Sequence, residues 1–147
     1  MHYLNANRMA EIDPQAFRKQ QPFPWVSVQG LLNDERFCRL CDTLPDLASC
    51  EKQSGRTNGC GDLYALQHRA GLTVAPEWRE FIAELQREPY TNFLRGLLGL
   101  RSGEHIELTM HWHFAPSGFS LMPHVDAQRK LASHIFYFNT ERDWDPQ

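Results

Sequence analysis

Two pairs of side chains of metal-binding type lie near the end of the sequence, and one residue separates the members of each pair. His124-x-Asp126 offers an imidazole and a carboxylate, and His111-x-His113 offers two imidazoles. On a β-strand, residues two apart point to the same side, so either pair can form part of a metal site. The mixed nitrogen and oxygen donors of His124 and Asp126 suit Fe(II) or a similar divalent ion.

The sequence around His111 and His113 argues against a metal role for that pair. In EHIELTMHWHFA, residues 104–115, polar and apolar side chains alternate strictly, which predicts a strand with two distinct faces. The two histidines lie on the polar face, opposite the apolar face that carries Trp112. A cupin site would need a glutamate a few residues later, and the next glutamate is Glu141. A cupin-type metal protein is therefore the less favoured hypothesis.

The surroundings of His124 and Asp126 resemble a known family. The stretch HWHFAPSGFSLMPHVDAQRKLASHIFYFNTERDW, residues 111–144, resembles the first metal-binding stretch of Fe(II)/2-oxoglutarate-dependent oxygenases of the prolyl 4-hydroxylase type. In that family an aromatic residue, a Pro/Gly turn, an H-x-D pair and a strand ending in tyrosine, a hydrophobic residue and asparagine follow in this order. The matching features here are Phe114, residues 116–118, the pair His124 and Asp126, and residues 137–139.

The resemblance implies a double-stranded β-helix, a jelly-roll barrel with the metal inside its mouth. His124 and Asp126 would be the first two Fe(II) ligands, and the Tyr137 hydroxyl would contact the distal carboxylate of 2-oxoglutarate. Phe114 matches a position that is often tyrosine in the family, so that polar contact would be lost. Iron, 2-oxoglutarate and O₂ would together hydroxylate an unactivated C–H of a peptide, such as a prolyl residue, or of a small molecule, with ascorbate as a reductant.

The sequence departs from the family pattern after the H-x-D pair. The family's second histidine ligand, and the Arg or Lys that pairs with 2-oxoglutarate, come several tens of residues later. Here the only histidine after Asp126 is His134, which is too near and alternates away from Tyr137. We therefore expect the sequence to be a fragment of a longer oxygenase whose missing part completes the barrel. The alternative hypothesis is a non-catalytic scaffold or interaction remnant of the same fold.

The elements that would position these residues are helices first and strands later. Helices are predicted from residue 33 or 34 to about 44, from Pro76 onward, and from about 90 to 98. Strands are predicted at 23–30, 104–115, 119–126 and 131–139, residues 1–22 are expected to be a loosely held arm, and residues 46–62 a long polar loop. The fold class is therefore α+β, with a helix-rich supporting region over 1–102 and the first strands of a partial barrel over 103–147.

Composition restricts the class of protein further. The 147 residues are 41% hydrophobic and 22% charged, as in one globular domain. A net charge of −3 argues against a nucleic-acid partner, which would require a basic stripe. The sequence shows no signal-peptide pattern and no apolar run near the roughly 20 residues that span a bilayer, so a cytoplasmic protein without a membrane partner is expected. The oligomeric state stays open.

The cysteines are expected to be reduced and structural. Cys38-x-x-Cys41 matches the spacing of zinc and redox motifs, but Cys41 also belongs to an apolar stripe at helical spacing. The positions of Cys50 and Cys60 fit no compact zinc knuckle. Free cysteine often packs as a small hydrophobic side chain, which favours this interpretation over a four-cysteine zinc site.

Overall fold

The chain is a mixed α+β protein in the computed structural model, which describes residues 2–54, 59–124 and 126–140. The helices in these ranges are α1 (Ala6–Ala10), α2 (Pro14–Lys19), α3 (Asp34–Asp42), α4 (Pro76–Leu85) and α5 (Glu88–Leu98), with a 3-10 turn at Leu47–Ser49. The strands are β1 (Glu51–Ser54), β2 (Gly59–Cys60), β3 (Asp62–Gln67), β4 (His111–Phe114) and β5 (Ser120–Leu121). The predicted α+β class is confirmed.

The described residues form two compact units, each built from separate pieces of the chain. Unit 1 contains residues 2–43, 75–107 and 135–140, and unit 2 contains residues 44–54, 59–74, 108–124 and 126–134. The division into 1–102 and 103–147 followed the order of elements along the sequence and stays a prediction. None of the helices in the described ranges is long and apolar enough to cross a membrane.

The three predicted helices are confirmed, and their boundaries follow from local chemistry. Helix α4 begins at Pro76, which suits a first helical turn because its missing N–H would have no partner there. Helix α5 ends at Gly99, whose φ of 72° is left-handed, and the N–H of Leu100 returns to the carbonyl of Arg95 at 2.9 Å. Arg18 from α2 donates to two of the last carbonyls of α5, at 2.8 and 3.1 Å, which joins these helices.

The prediction of a loosely held N-terminal arm was wrong. Tyr3 and Leu4 are each only 1% exposed, and Leu4 forms an antiparallel bridge with Leu32. The carboxylate of Glu84 on α4 accepts backbone N–H groups from residues 2, 3 and 4 at 2.8 to 3.2 Å. The arm is therefore fixed by a buried acceptor about eighty residues away, a pairing that local sequence cannot show.

An aromatic cluster forms the centre of unit 1. Phe81 of α4 packs against Tyr3 with ring centroids 5.5 Å apart and against Phe136 at 5.4 Å. Trp78, also on α4, packs against Phe138 at 5.0 Å. The extended segment that carries Phe136 and Phe138 is thus held against α4 by one of its faces.

Unit 2 is built on an antiparallel sheet in the order β1-β3-β4. The central strand β3 places Ala65 opposite His113 and Leu66 opposite Trp112. Strand β1 pairs with its other edge, and β2 pairs separately with β5. The predicted loop over 46–62 was therefore wrong, because much of that polar stretch forms β1 and β2, while residues 55–58 lie outside the described residues.

All four predicted strands are absent or shorter than expected in the described part of the chain. Residues 23–30 and 131–139 belong to neither sheet, and of residues 119–126 only β5 is a strand. Residues 104–110 are likewise outside β4, although burial still alternates from 104 to 114. Alternating apolar residues favour a strand only where a neighbouring strand completes the hydrogen-bonded ladder, so composition alone overestimated the sheet.

Candidate metal site

His124 and Asp126 lie in an exposed segment of unit 2 that follows β5. The strand predicted over residues 119–126 ends at Leu121, so strand geometry does not align the two side chains. The two side chains nevertheless approach each other, with His124 Nε2 4.0 Å from Asp126 Oδ1. Val125 between them lies outside the described residues. The predicted pair is therefore brought together by the loop rather than by a strand.

The imidazole of His124 is oriented by its own backbone. Its Nδ1 lies 3.0 Å from the carbonyl oxygen of Met122. A carbonyl oxygen can only accept a hydrogen bond, so this contact places the proton of a neutral imidazole on Nδ1. The lone pair is then on Nε2, the atom that faces Asp126. Metal-binding histidines are commonly fixed in this way by a backbone carbonyl at the other ring nitrogen.

The two carboxylate oxygens of Asp126 have different partners. Oδ1 accepts from the ammonium of Lys130 at 3.0 Å, and Oδ2 accepts from the hydroxyl of Ser133 at 2.6 Å. The hydrogen bonds from Ser133 and Lys130 hold the pKa of Asp126 below its usual range. Asp126 is therefore an anion near neutral pH, as a metal ligand must be.

The pair fits two positions of a metal site. Adjacent ligand atoms around a divalent ion lie about 3 Å apart when each is about 2.1 Å from the metal. His124 and Asp126, with 32% and 42% of their side chains exposed, would need to approach by about 1 Å. Within the described ranges no group of three or more His, Cys, Asp or Glu residues is arranged to hold a metal. The geometry thus supplies two ligands.

His111 and His113 lie on one face of β4, as the alternation predicted. Their ring centroids are 5.9 Å apart, both residues are exposed, and Trp112 between them is buried. Desolvation lowers the pKa of His113, and the neighbouring imidazole of His111 and the Lys130 ammonium lower it further. The two rings are therefore neutral near pH 7.

Tyr137, the predicted 2-oxoglutarate contact, belongs to unit 1. Its side chain is 75% exposed, while its neighbours Phe136 and Phe138 pack against the helices of that unit. Phe114 ends β4 in unit 2 and is half-buried. The turn predicted before the site is confirmed, since the N–H of Phe119 donates to the carbonyl of Pro116 at 3.1 Å.

The cysteines and a surface cleft lie apart from the predicted metal ligands in sequence. Cys38 and Cys50 are free thiols, and Cys41 is half-buried, as expected of an apolar stripe on α3. A cleft of about 530 Å³ in unit 1 contains no predicted site residue. It is lined by His2, Tyr3, Arg79, Glu80, Ala83, Glu84 and Arg87.

Sequence analysis missed the two partners of Asp126. Lys130 and Ser133 follow it by four and seven residues, and both hold its carboxylate. The sequence signal that could have identified these partners is a cationic and a hydroxyl side chain within seven residues after Asp126. No family model, curated protein or solved structure matches the chain.

Proposed function

We propose that this chain belongs to an Fe(II)- and 2-oxoglutarate-dependent oxygenase of the prolyl 4-hydroxylase type. His124 and Asp126 would hold the iron, and Tyr137 would hold the distal carboxylate of 2-oxoglutarate. Bound iron and 2-oxoglutarate would supply the oxidation of an unactivated C–H by O₂, with a prolyl residue or a small molecule as substrate. Ascorbate would serve as the reductant.

The observation that carries the proposal is the orientation of His124. Its Nδ1–H is held by the Met122 carbonyl, and its Nε2 lies 4.0 Å from an oxygen of the Asp126 carboxylate. In the neutral tautomer this orientation directs the Nε2 lone pair towards the ionised carboxylate, which is the arrangement that an H-x-D iron site requires.

The segment around Tyr137 gives independent support. Phe136 and Phe138 pack against aromatic side chains of α3 and α4, and Tyr137 between them is turned to solvent. In a double-stranded β-helix with helices on its outer side, alternate residues of a barrel strand face the helices and the interior. If this segment formed such a strand, Phe136 and Phe138 would face the helices and Tyr137 would face the interior of the barrel.

Fe(II)-dependent binding of 2-oxoglutarate tests the proposal. Under anaerobic conditions, the full chain is titrated with 2-oxoglutarate in the presence and absence of Fe(II), and the charge-transfer absorption of the iron chelate is recorded. We expect absorption in the wild type, none in Asp126→Ala, and weaker 2-oxoglutarate binding in Tyr137→Phe. Binding of 2-oxoglutarate that is independent of Fe(II), or no binding at all, would contradict the proposal.

A non-catalytic interaction domain is the second candidate, and exposed apolar side chains favour it. Phe23 is 63% exposed, and Ile135 and Leu131 are 65% and 64% exposed. Apolar side chains that form a contiguous patch at the surface mark interaction sites. Substitution of Phe23 by serine should then weaken a partner interaction and leave Fe(II) binding unchanged, whereas the oxygenase proposal requires no such partner.

A further inference from the structure

The ion pair between Lys130 and Asp126 has a geometry that bears on metal binding. The Lys130 ammonium contacts Oδ1, the carboxylate oxygen that also faces His124 Nε2. The other oxygen, Oδ2, is occupied by the Ser133 hydroxyl at 2.6 Å. One oxygen is therefore held by a neutral group, and the oxygen nearer the imidazole is held by a cation.

A metal ion held by Asp126 would lie close to the Lys130 ammonium. A divalent ion bound between His124 and Asp126 would lie about 2 Å from Oδ1, and the ammonium is 3.0 Å from the same oxygen, so the two cations would be no more than about 5 Å apart. The two cations repel each other strongly at such distances. Half of the Lys130 side chain is exposed, so the ammonium can move into water at little cost.

We propose that Lys130 is an internal counter-cation that engages the metal-facing oxygen of Asp126 and is displaced when the metal binds. Ser133 has the opposite effect, because its hydroxyl keeps Oδ2 engaged and leaves Oδ1 directed towards His124. Lys130 thereby lowers the apparent metal affinity, and Ser133 raises it. This inference rests on the proposed metal site and adds the groups that regulate it.

The affinity of the full chain for Co(II), an air-stable substitute for Fe(II), tests the inference by calorimetry. Lys130→Met removes the ammonium and keeps the length of the side chain. Since exposed ion pairs contribute up to about 1 kcal/mol, we expect Co(II) to bind about threefold to fivefold more tightly. Ser133→Ala should weaken binding about tenfold, as loss of an outer hydrogen bond to a ligand does.

Lys52→Met is the matched control. Lys52 forms a similar half-exposed ion pair with Asp62 at 2.7 Å in the same unit, so its loss changes the net charge equally. We expect its Co(II) affinity to differ from the wild type by less than half of the Lys130→Met effect. Equal gains in both lysine variants, or a change of the same sign in Lys130→Met and Ser133→Ala, would overturn the inference.

Different results would contradict the proposed metal site and the role of Lys130. If Co(II) binds the wild type and His124→Ala equally, the metal site is wrong whatever Lys130 does. If binding is lost in His124→Ala but unchanged in Lys130→Met, the site stands and the role of Lys130 is wrong. Circular dichroism of each variant shows whether it folds, and both lysines are exposed enough that folding should persist.

Discussion

Replacement of Glu84 by glutamine is expected to release the N-terminal segment and to destabilise the chain. Glu84 is only 5% exposed, and its carboxylate accepts the N–H groups of His2, Tyr3 and Leu4. A glutamine keeps one acceptor oxygen but turns an NH₂ group towards these donors. The substitution thus removes the charge from the hydrogen bonds and leaves a backbone N–H without a partner.

The expected loss is about 2–3 kcal/mol in the free energy of unfolding. The N–H groups of Tyr3 and Leu4 are buried, and a hydrogen bond to a charged group contributes about 1.5–3 kcal/mol. Removing a buried charge also recovers part of its desolvation cost, which keeps the net effect below the sum of the bonds. Urea denaturation followed by circular dichroism measures this free energy.

Glu80→Gln is the matched control, because Glu80 is exposed and accepts only from the Tyr3 hydroxyl among the contacts described, at 3.0 Å. We expect it to lose less than about 1 kcal/mol. Amide hydrogen exchange should also accelerate at Leu4 in Glu84→Gln and not in Glu80→Gln. A Glu84→Gln variant within about 0.5 kcal/mol of the wild type would refute a stabilising role for this buried carboxylate.

The buried Glu84 carboxylate also makes the stability of the chain depend on pH. Burial alone would raise the pKa of Glu84, but the N–H groups of Leu4, Tyr3 and His2 outweigh it and hold the pKa below the usual glutamate value. A folded-state pKa below the unfolded one gives stability that is complete above the unfolded pKa and is lost as pH falls through the folded one. The difference between wild type and Glu84→Gln should therefore shrink in acid.

Further expectations concern packing and titration. Phe138→Ala should cost about 2 kcal/mol of stability in chemical denaturation because its ring packs against Phe37 and Trp78, whereas Tyr137→Ala should cost less than about 1 because Tyr137 is mostly exposed. Equal losses would contradict the alternation of this segment. The pKa of His113 from NMR titration should lie below that of an unperturbed histidine and rise in Lys130→Met; an unchanged value would show that Lys130 does not act on it.

The helices could be predicted from sequence because their signals are local. The apolar side chains of α4 recur at helical spacing after Pro76, and Gly99 permits the left-handed residue that ends α5. The burial of Trp112 and the exposure of His111 and His113 likewise followed from strand alternation. Each of these features depends on residues within a few positions of one another.

Features that depend on distant partners could not be predicted. Nothing near Tyr3 reveals that Glu84 accepts its N–H, and nothing in residues 23–30 reveals that this apolar stretch lies outside both sheets. In the candidate site, His124 and Asp126 were identified from residue type and spacing. The strand that was predicted to align them ends at Leu121, before His124. The link from Asp126 to Ser133 requires the loop conformation.

Fe(II) affinity under anaerobic conditions tests the central claim most directly. The wild type is compared with His124→Ala and with His111→Ala, which removes another exposed histidine of the same unit. The proposed site predicts that His124→Ala loses Fe(II) binding by tenfold or more and that His111→Ala binds as the wild type does. Loss of binding in His111→Ala alone would contradict the assignment and favour a metal site on the face of β4.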